Sequence, residues 1–409
     1  MTPRDVSGQA GRFRPFDTSR GTNQSGVRVY NERLALSLIR RNGALSKVEL
    51  ARLTGLSVQT INDIVGRLEA EGLLLRQDPQ RGRVGQPAVP FALNPEGAFS
   101  LGLKVGRRST DLVLVDFCGV VRHRRHAFHA YPLPEALLGF VREAVGEMAG
   151  ALSVEQGGRV AGLGIAMPFE LWNWEAELGA PAGTMAGWRG FDMEAEIGAL
   201  CPWPVMTCND ASSACAAELF LGTGWRFRDF LYVFIGSFIG GGVVLNGSLF
   251  PGRTGNAGAI GSFPVGGGRP RKQLIRVASL HGLEAELTAA GFDAGPIYRT
   301  TGGWPEYGAV LERWIERTAG HLAELAVAAT SIIDFEAVVI DGAFPAGVRA
   351  RLVERTVRAV GRFDGQGLSA VTVCAGSVGS DARAIGGAAL PLLANFARDR
   401  DVLFKEAVG

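Results

Sequence analysis

Cysteine is scarce and scattered in this chain: Cys118, Cys201, Cys208, Cys215 and Cys374 stand apart, with no CxxC pair among 409 residues. That excludes a zinc knuckle and a disulfide scaffold and fits a reducing, cytoplasmic setting. No apolar core follows the N-terminal Met, so the opening residues do not read as a secretory signal. Net charge is only +2, which excludes a chain that is polyanionic or polycationic throughout. Long uncharged runs are few. The one that needs weighing, 230–250, has 21 residues without a charge, enough to span a bilayer. It is rich in glycine, including Gly240-Gly241-Gly242, and in β-branched and aromatic residues. It therefore reads as two strands around a Gly turn and not as a membrane helix.

What charge there is lies unevenly. Residues 1–86 hold 14 Arg and Lys against 8 Asp and Glu, and the remainder holds 28 against 32. A basic head on a mildly acidic body suits polyanion binding by the head. At 409 residues the chain is too long for one compact core, so two or three domains are expected.

The stretch 46–72, SKVELARLTGLSVQTINDIVGRLEAEG, organises the head. It predicts two helices broken at Thr54-Gly55-Leu56 and stopped at Gly72. Val48, Leu50, Ala51 and Leu53 form the apolar set of the first. Val58, Ile61, Ile64, Val65 and Leu68, three and four apart, give the second one buried stripe. Opposite that stripe stand Gln59, Thr60, Asn62, Asp63 and Arg67. Two short helices on a Gly turn, the second exposing amides and hydroxyls near its start, form a helix-turn-helix. Amide side chains can pair with adenine, and Thr can meet a thymine methyl. The alternative is an ordinary helical hairpin in a core. The sequence LLLRQDPQRGRVGQPAVPFAL that follows (73–93) favours DNA reading, because it predicts a β-hairpin wing. Arg81 and Arg83 at its tip suit a minor groove. A helix over 29–42, with Leu34, Leu36, Leu38 and Ile39 inward, precedes the pair. Residues 1–27 read as a disordered, Arg-bearing tail.

Beyond Asn94-Pro95-Glu96-Gly97, three antiparallel strands are expected from 99 onward, then a helix over 134–152. Strands at 162–167 and 204–208 follow, then a helix over 211–221 and the glycine-rich hairpin. Helices over 306–333, 346–361 and 382–397 alternate with strands at 338–340 and 371–373. The order βββαβαβ occurs in 99–221 and loosely again in 230–397. It predicts two α/β lobes of duplicated fold with a cleft between them.

Five stretches of the body carry a resemblance. They are LGLKVGRRSTDLVLVDFCG (101–119), GLGIAMP (162–168), TCNDASSACAAELFLG (207–222), IGSFIGGGVVLNGSLFPGRTGNAGAIGSFPV (235–265) and VASLHGLE (277–284). Together they resemble the ROK family, over 29–409. Its members are sugar kinases or transcriptional repressors on the sugar-kinase and actin-like ATPase fold, and an N-terminal winged helix is the repressor layout. The resemblance puts Lys104 where the kinases keep an Asp, and Arg107-Arg108 where their phosphate turn has Gly-Gly. Phe238 stands where their second phosphate loop keeps Gly. Bulky side chains at both turns would block a triphosphate. Asp210 matches the general base of the kinases, and Asn209 a sugar contact. Without the phosphate turns both read as effector-binding residues, and capping of the helix at 211 is a compatible alternative. Gly258-Ala259-Ile260-Gly261-Ser262 matches a turn that in the family carries a sugar-contacting Glu and a zinc His. Neither is kept, no cysteines follow, and no metal is expected. Replacement sugar contacts could come from Trp172, Asn173, Trp174, Glu175 or Glu177, although core aromatics and a solvated helix are the preferred reading there. His123, His126 and His129 read as an exposed basic edge and not as metal ligands.

The fold class expected is therefore α/β: a winged helix-turn-helix (28–94) before a two-lobed actin-like body with duplicated mixed sheets. The first lobe spans 97–215, with 382–409 packing back on it, and the second spans 216–381. The expected function is that of a cytoplasmic ROK-type regulator, a repressor with no catalytic residues, no cofactor and no membrane contact. Its partners are double-stranded operator DNA and a small-molecule effector, a sugar or sugar derivative, held at Asn209 and Asp210. Ser57, Gln59, Thr60 and Asn62 would lie in the major groove, Lys47 and Arg67 on phosphates, and Arg81 and Arg83 in the wing. Two half-sites imply a homodimer or homotetramer. The alternative is a divergent sugar kinase with Asp210 as general base.

Overall fold

The computed structural model describes residues 24–79, 88–169, 171–175, 179–267, 271–299 and 303–398. Arg81, Arg83 and Glu177 lie outside the described residues, as does 1–23 of the expected tail.

Three helices open the fold: α1 (Gln24–Asn42), α2 (Lys47–Thr54) and α3 (Val58–Ala70). The first begins five residues ahead of the expected position 29, so residues 24–27 are helical and not tail. Ser46 and Glu49 form a capping box on α2, and Gly55 ends it at φ 71°, a left-handed turn that suits glycine. Ser57 caps α3. The core between them takes Ala35, Leu36, Ile39, Leu50, Ile61, Ile64, Val65 and Leu68. Leu34 and Leu38 are only half-buried. The expected apolar sets also included Val48, Leu53 and Val58, but these are 69, 45 and 52 % exposed. Val48 lies about 200° around the helix from Leu50. Leu53 and Val58 flank the turn, where the helix pair opens away from the core. Strands β1 (Leu45–Ser46), β2 (Leu74–Arg76) and β3 (Pro90–Leu93) form a sheet in the order β1-β3-β2. That is the base of the wing.

The body contains two five-stranded sheets of one design. In the first, β4 (Phe99–Val105), β5 (Ser109–Asp116), β6 (Val121–Phe128), β7 (Val160–Met167) and β8 (Val205–Asn209) run in the order β6-β5-β4-β7-β8. The second uses β9 (Phe230–Ile235), β10 (Ile239–Leu245), β11 (Ser248–Phe250), β14 (Ala337–Gly342) and β15 (Thr372–Ala375), in the order β11-β10-β9-β14-β15. Each is an antiparallel three-strand meander extended by two parallel strands. Two short strands, β12 (Pro264–Val265) and β13 (Lys272–Gln273), pair apart from both. The longer helices of the body are α4 (Pro134–Gly150), α5 (Asp210–Phe220), α6 (Leu280–Ala289), α7 (Gly308–Ile333), α8 (Ala346–Val360) and α9 (Ala382–Phe396).

Helices α5 and α9 lie between the sheets, and small residues allow the approach. A Cβ on Gly102 of β4 would collide with the Ala384 carbonyl of α9, and one on Gly386 of α9 with the Ser213 carbonyl of α5. The triple glycine 240–242 is not the hairpin turn, which falls at 236–238; it lies inside β10. There a Cβ on Gly242 would strike Cys215 of α5, so the glycines seat that helix on the second sheet. No helix among the described residues is long and apolar enough to cross a membrane.

Head and body share one core. A single buried cluster includes Leu50, Ile61 and Phe91 of the head with Val113, Phe117, Ala388 and Leu392 of the body. Arg40 of α1 donates from Nη1 to the Phe117 carbonyl at 2.8 Å and lies over the Phe220 ring at 4.1 Å. Burial pulls its guanidinium down to about 10, against the attraction of Cys118 and Asp116.

Candidate functional site

Between the two sheets opens a cleft of about 1080 Å³. The turn after β4, strand β6 and the β8–α5 junction wall one side. The β9–β10 turn, 256–262 and the segment around Glu284 and Tyr298 wall the other, and the start of α9 closes the base.

Asp210 and Asn209 sit where strand β8 becomes helix α5. Asn209 Oδ1 accepts from the amides of Ala211 at 3.0 Å and Ser212 at 3.4 Å, so this side chain caps the helix. Asp210 faces the cleft, but its Oδ2 lies 3.3 Å from Nη1 of Arg383, and both side chains are largely buried at 19 and 15 % exposure. The carboxylate that the resemblance assigns to proton abstraction is thus ion-paired within the chain. One of its oxygens is therefore engaged, and a sugar hydroxyl would have to compete with Arg383 for it.

The two turns expected to block a nucleotide meet each other. The Arg107 guanidinium carbon is 3.5 Å from the centre of the Trp174 ring and 3.0 Å from that of Phe238. It forms a cation–π stack across the cleft mouth. Arg108 reaches the opposite wall, with Nη2 3.2 Å from Glu284 Oε1, while the Tyr298 hydroxyl donates to Glu284 Oε2 at 2.9 Å. Burial and that carboxylate drive the Tyr298 phenol far above its ordinary value. Lys104 donates to Asp111 Oδ2 at 2.7 Å and to Ser109 Oγ at 2.9 Å. Burial, and then repulsion from Arg383, lowers the Lys104 ammonium; Asp111 and Asp210 oppose this.

Of the five residues weighed as replacement sugar contacts, Trp174 lines the cleft, against the reading of these aromatics as core only. Trp172 packs on the core of the first lobe. Glu175 accepts from the amides of Gly183 and Met185 at 3.0 and 2.7 Å. The three histidines do not converge. His126 Nδ1 meets Asp111 Oδ1 at 2.5 Å, His129 Nε2 meets Thr110 Oγ1 at 3.2 Å, and His123 is exposed on the edge strand. Arg124 and Arg125 on that strand pair with Asp381 at 2.7 Å and Glu147 at 2.8 Å.

On the head, Gln59 is exposed at the start of α3, with Thr60 and Asn62 half-exposed. Ser57 Oγ is 2.8 Å from Thr60 Oγ1 and accepts from the Thr60 amide, so these hydroxyls brace each other. Gln59 donates to Asp63 at 3.2 Å. Arg67 is ion-paired with Glu32 of α1 at 2.8 Å, and the Lys47 ammonium lies 5.5 Å from the centre of the Phe91 ring. The surface is polar and partly pre-ordered.

Sequence reasoning missed Arg383, Glu284 and Tyr298. Arg383 and Glu284 pair with Asp210 and Arg108, 173 and 176 residues away, so no spacing rule reaches them; Tyr298 joins through Glu284, 14 residues before it. One signal was present for Arg383: it is the sole charged residue in α9.

Known proteins agree with this architecture. The ROK family profile matches residues 100–276, and a winged helix-turn-helix DNA-binding profile matches residues 30–74. The protein y4fQ of Sinorhizobium fredii is 26 % identical over 368 residues, 90 % of this chain and 91 % of that one. The xylose repressor of Bacillus subtilis is 24 % identical over 243 residues, 59 % of this chain and 62 % of that repressor, so the match spans under two thirds of its length. Among solved structures, a ROK family transcriptional regulator described as a homolog of the E. coli MLC protein superposes with a TM-score of 0.63. It is 18 % identical and covers 91 % of this chain and 97 % of that one. Residues 100–276 thus carry a ROK family domain, preceded by a winged helix-turn-helix at 30–74.

Proposed function

We propose that this chain is a ROK-type transcriptional repressor that reads operator DNA with its winged head and senses a small polyol, a sugar or sugar derivative, in the interlobe cleft. The observation that carries this is a contrast. The head keeps an exposed polar face on a capped recognition helix, while Arg383 occupies Asp210 and Arg107 stacks on Phe238 where a nucleotide would lie. Likeness to the xylose repressor supports a sugar as effector. Gln59, Thr60 and Asn62 would read bases, Ser57 would present the helix start, and Lys47, Arg67, Arg81 and Arg83 would meet phosphates or the minor groove. A single winged head buries little surface, so a second copy of the chain on a second half-site is part of the reading.

The kinase alternative needs Asp210 free and the phosphate turns open. The test is a gel-shift titration on DNA upstream of the chain's own gene, alongside ATP turnover with a hexose and amino-sugar panel. Sequence-specific retardation without turnover is expected. Turnover that disappears in Asp210→Asn would overturn the assignment as a regulator without catalysis.

A further inference from the structure

Helix α9 touches the cleft with one end and the DNA-reading head with the other. At its start, Asp381 pairs with Arg124 at 2.7 Å and Arg383 with Asp210 at 3.3 Å. The Arg383 bridge is loose for a charge-assisted contact, which ordinarily closes to about 2.7–2.9 Å. Its buried Nε has no hydrogen-bond partner. Besides that long bond the guanidinium has the Phe234 ring, whose centre is 5.2 Å from its carbon, and an orphaned donor is costly, so the arrangement is open to exchange for a better one. The middle of the helix is Ala384, Gly386, Gly387, Ala388 and Ala389, seated on Gly102, Gly164 and Ser213 with no room for a Cβ. Such close seating transmits displacement and does not absorb it. At the far end, the Phe396 ring meets Phe117 edge-on at 4.9 Å, and the Ala397 carbonyl accepts from Arg33 of α1 at 3.5 Å. The Phe117 carbonyl is the same one that holds Arg40 of α1. Fifteen helical residues span about 22 Å at 1.5 Å per residue.

The geometry points to Arg383 as an internal occupant of the effector site: an effector whose hydroxyls take the Asp210 carboxylate displaces it, and α9 carries that displacement to the winged head. This rests on the regulator reading above. It adds which residue the ligand competes with and which element reports the outcome. A two-state element biased from one end is what a coupling between distant sites requires. The ligand-free chain, with the bridge closed, is the form that grips DNA.

Breaking the bridge without ligand should therefore imitate the effector. The full chain, without ligand, is titrated against a fluorescently labelled duplex from upstream of its gene, with hydrogen exchange followed in parallel. Arg383→Gln is expected to weaken operator binding by about tenfold, within the usual range for such coupling, and to speed amide exchange in α1. Arg383→Lys, which can still pair, should restore most of the affinity. Should Arg383→Gln fail to fold, Asp210→Asn removes the same charge pair without touching α9 and must weaken binding alike. Variants that bind as the wild type does, with exchange unchanged in α1, overturn the inference and leave the regulator reading intact. A wild-type chain that does not distinguish its own upstream DNA overturns both.

Discussion

The guanidinium carbon of Arg107 lies 3.0 Å from the centre of the Phe238 ring, so the turns at 106–108 and 236–238 fill each other's space. Trp174 packs on the same guanidinium, its ring centre 3.5 Å away and 4.6 Å from that of Phe238. Opening both turns, with Arg107→Gly and Phe238→Gly together, should create an affinity for a non-hydrolysable ATP analogue, read by calorimetry, with no binding expected of the wild type. A wild-type chain that binds the analogue as tightly as the double variant contradicts this.

Head and body melt as one unit if their shared core governs stability. Arg40→Ala removes a hydrogen bond to a buried carbonyl and two cation–π contacts. It should cost about 2 kcal/mol or more, read as a lower midpoint in urea. Limited proteolysis should also gain a cut near 94–98, where the head joins the body. Arg40→Lys should recover little, since an ammonium cannot both stack and reach the carbonyl.

Glu218 is buried and ties α5 to the loop after β15. Its Oε1 accepts from the Thr223 amide at 2.8 Å, the Thr223 hydroxyl at 3.0 Å and the Ser377 hydroxyl at 2.9 Å. Its Oε2 accepts from the amides of Ser377 at 2.9 Å and Val378 at 3.3 Å. Glu218→Ala removes the acceptor of all five donors, of which the Thr223 amide keeps a bond to Ser377 Oγ at 3.1 Å, and should destabilise the chain by about 3 kcal/mol or more. A thermal midpoint within a degree or so of the wild type would be at odds with this network.

Acid stability should carry a signature of Asp111. Burial alone would raise its carboxyl, but Lys104 and His126 on its two oxygens outweigh that and hold it below the ordinary range. A depressed folded pKa stabilises the fold above the unfolded value, about 3.9, and this contribution is lost as pH falls through the folded value. Asp111→Asn should therefore flatten the decline in unfolding free energy below about pH 4. An unchanged slope would show that the carboxylate is not linked to folding in this way.

Regular elements were legible in the sequence because they depend on local periodicity. The stripe Ile61, Ile64, Val65 and Leu68 is buried as its spacing requires, and the twofold βββαβαβ pattern appears as two sheets of identical order. The exposure of Val48 was not legible, because α2, a helix of two turns, offers too few positions to fix which side faces inward, and Val58 is exposed because it is the first residue of α3, beside the turn. Gly240-Gly241-Gly242 looked like a turn, since their tertiary reason, the seat for α5, lies elsewhere in the chain. Asp210 was found by motif, but its partner Arg383 is 173 residues away. Pairing across that distance follows from how α9 folds back between the sheets and not from any local pattern.

DNA reading by the head is measurable by fluorescence anisotropy. The chain is titrated against a duplex from upstream of its own gene and against a scrambled duplex of equal length, at one salt concentration. Preference for the upstream duplex by about 10³ or more is predicted. Gln59→Ala should lose about 1–3 kcal/mol on the upstream duplex and little on the scrambled one. Equal affinity for both duplexes, unmoved by Gln59→Ala, would mean that the head does not read sequence.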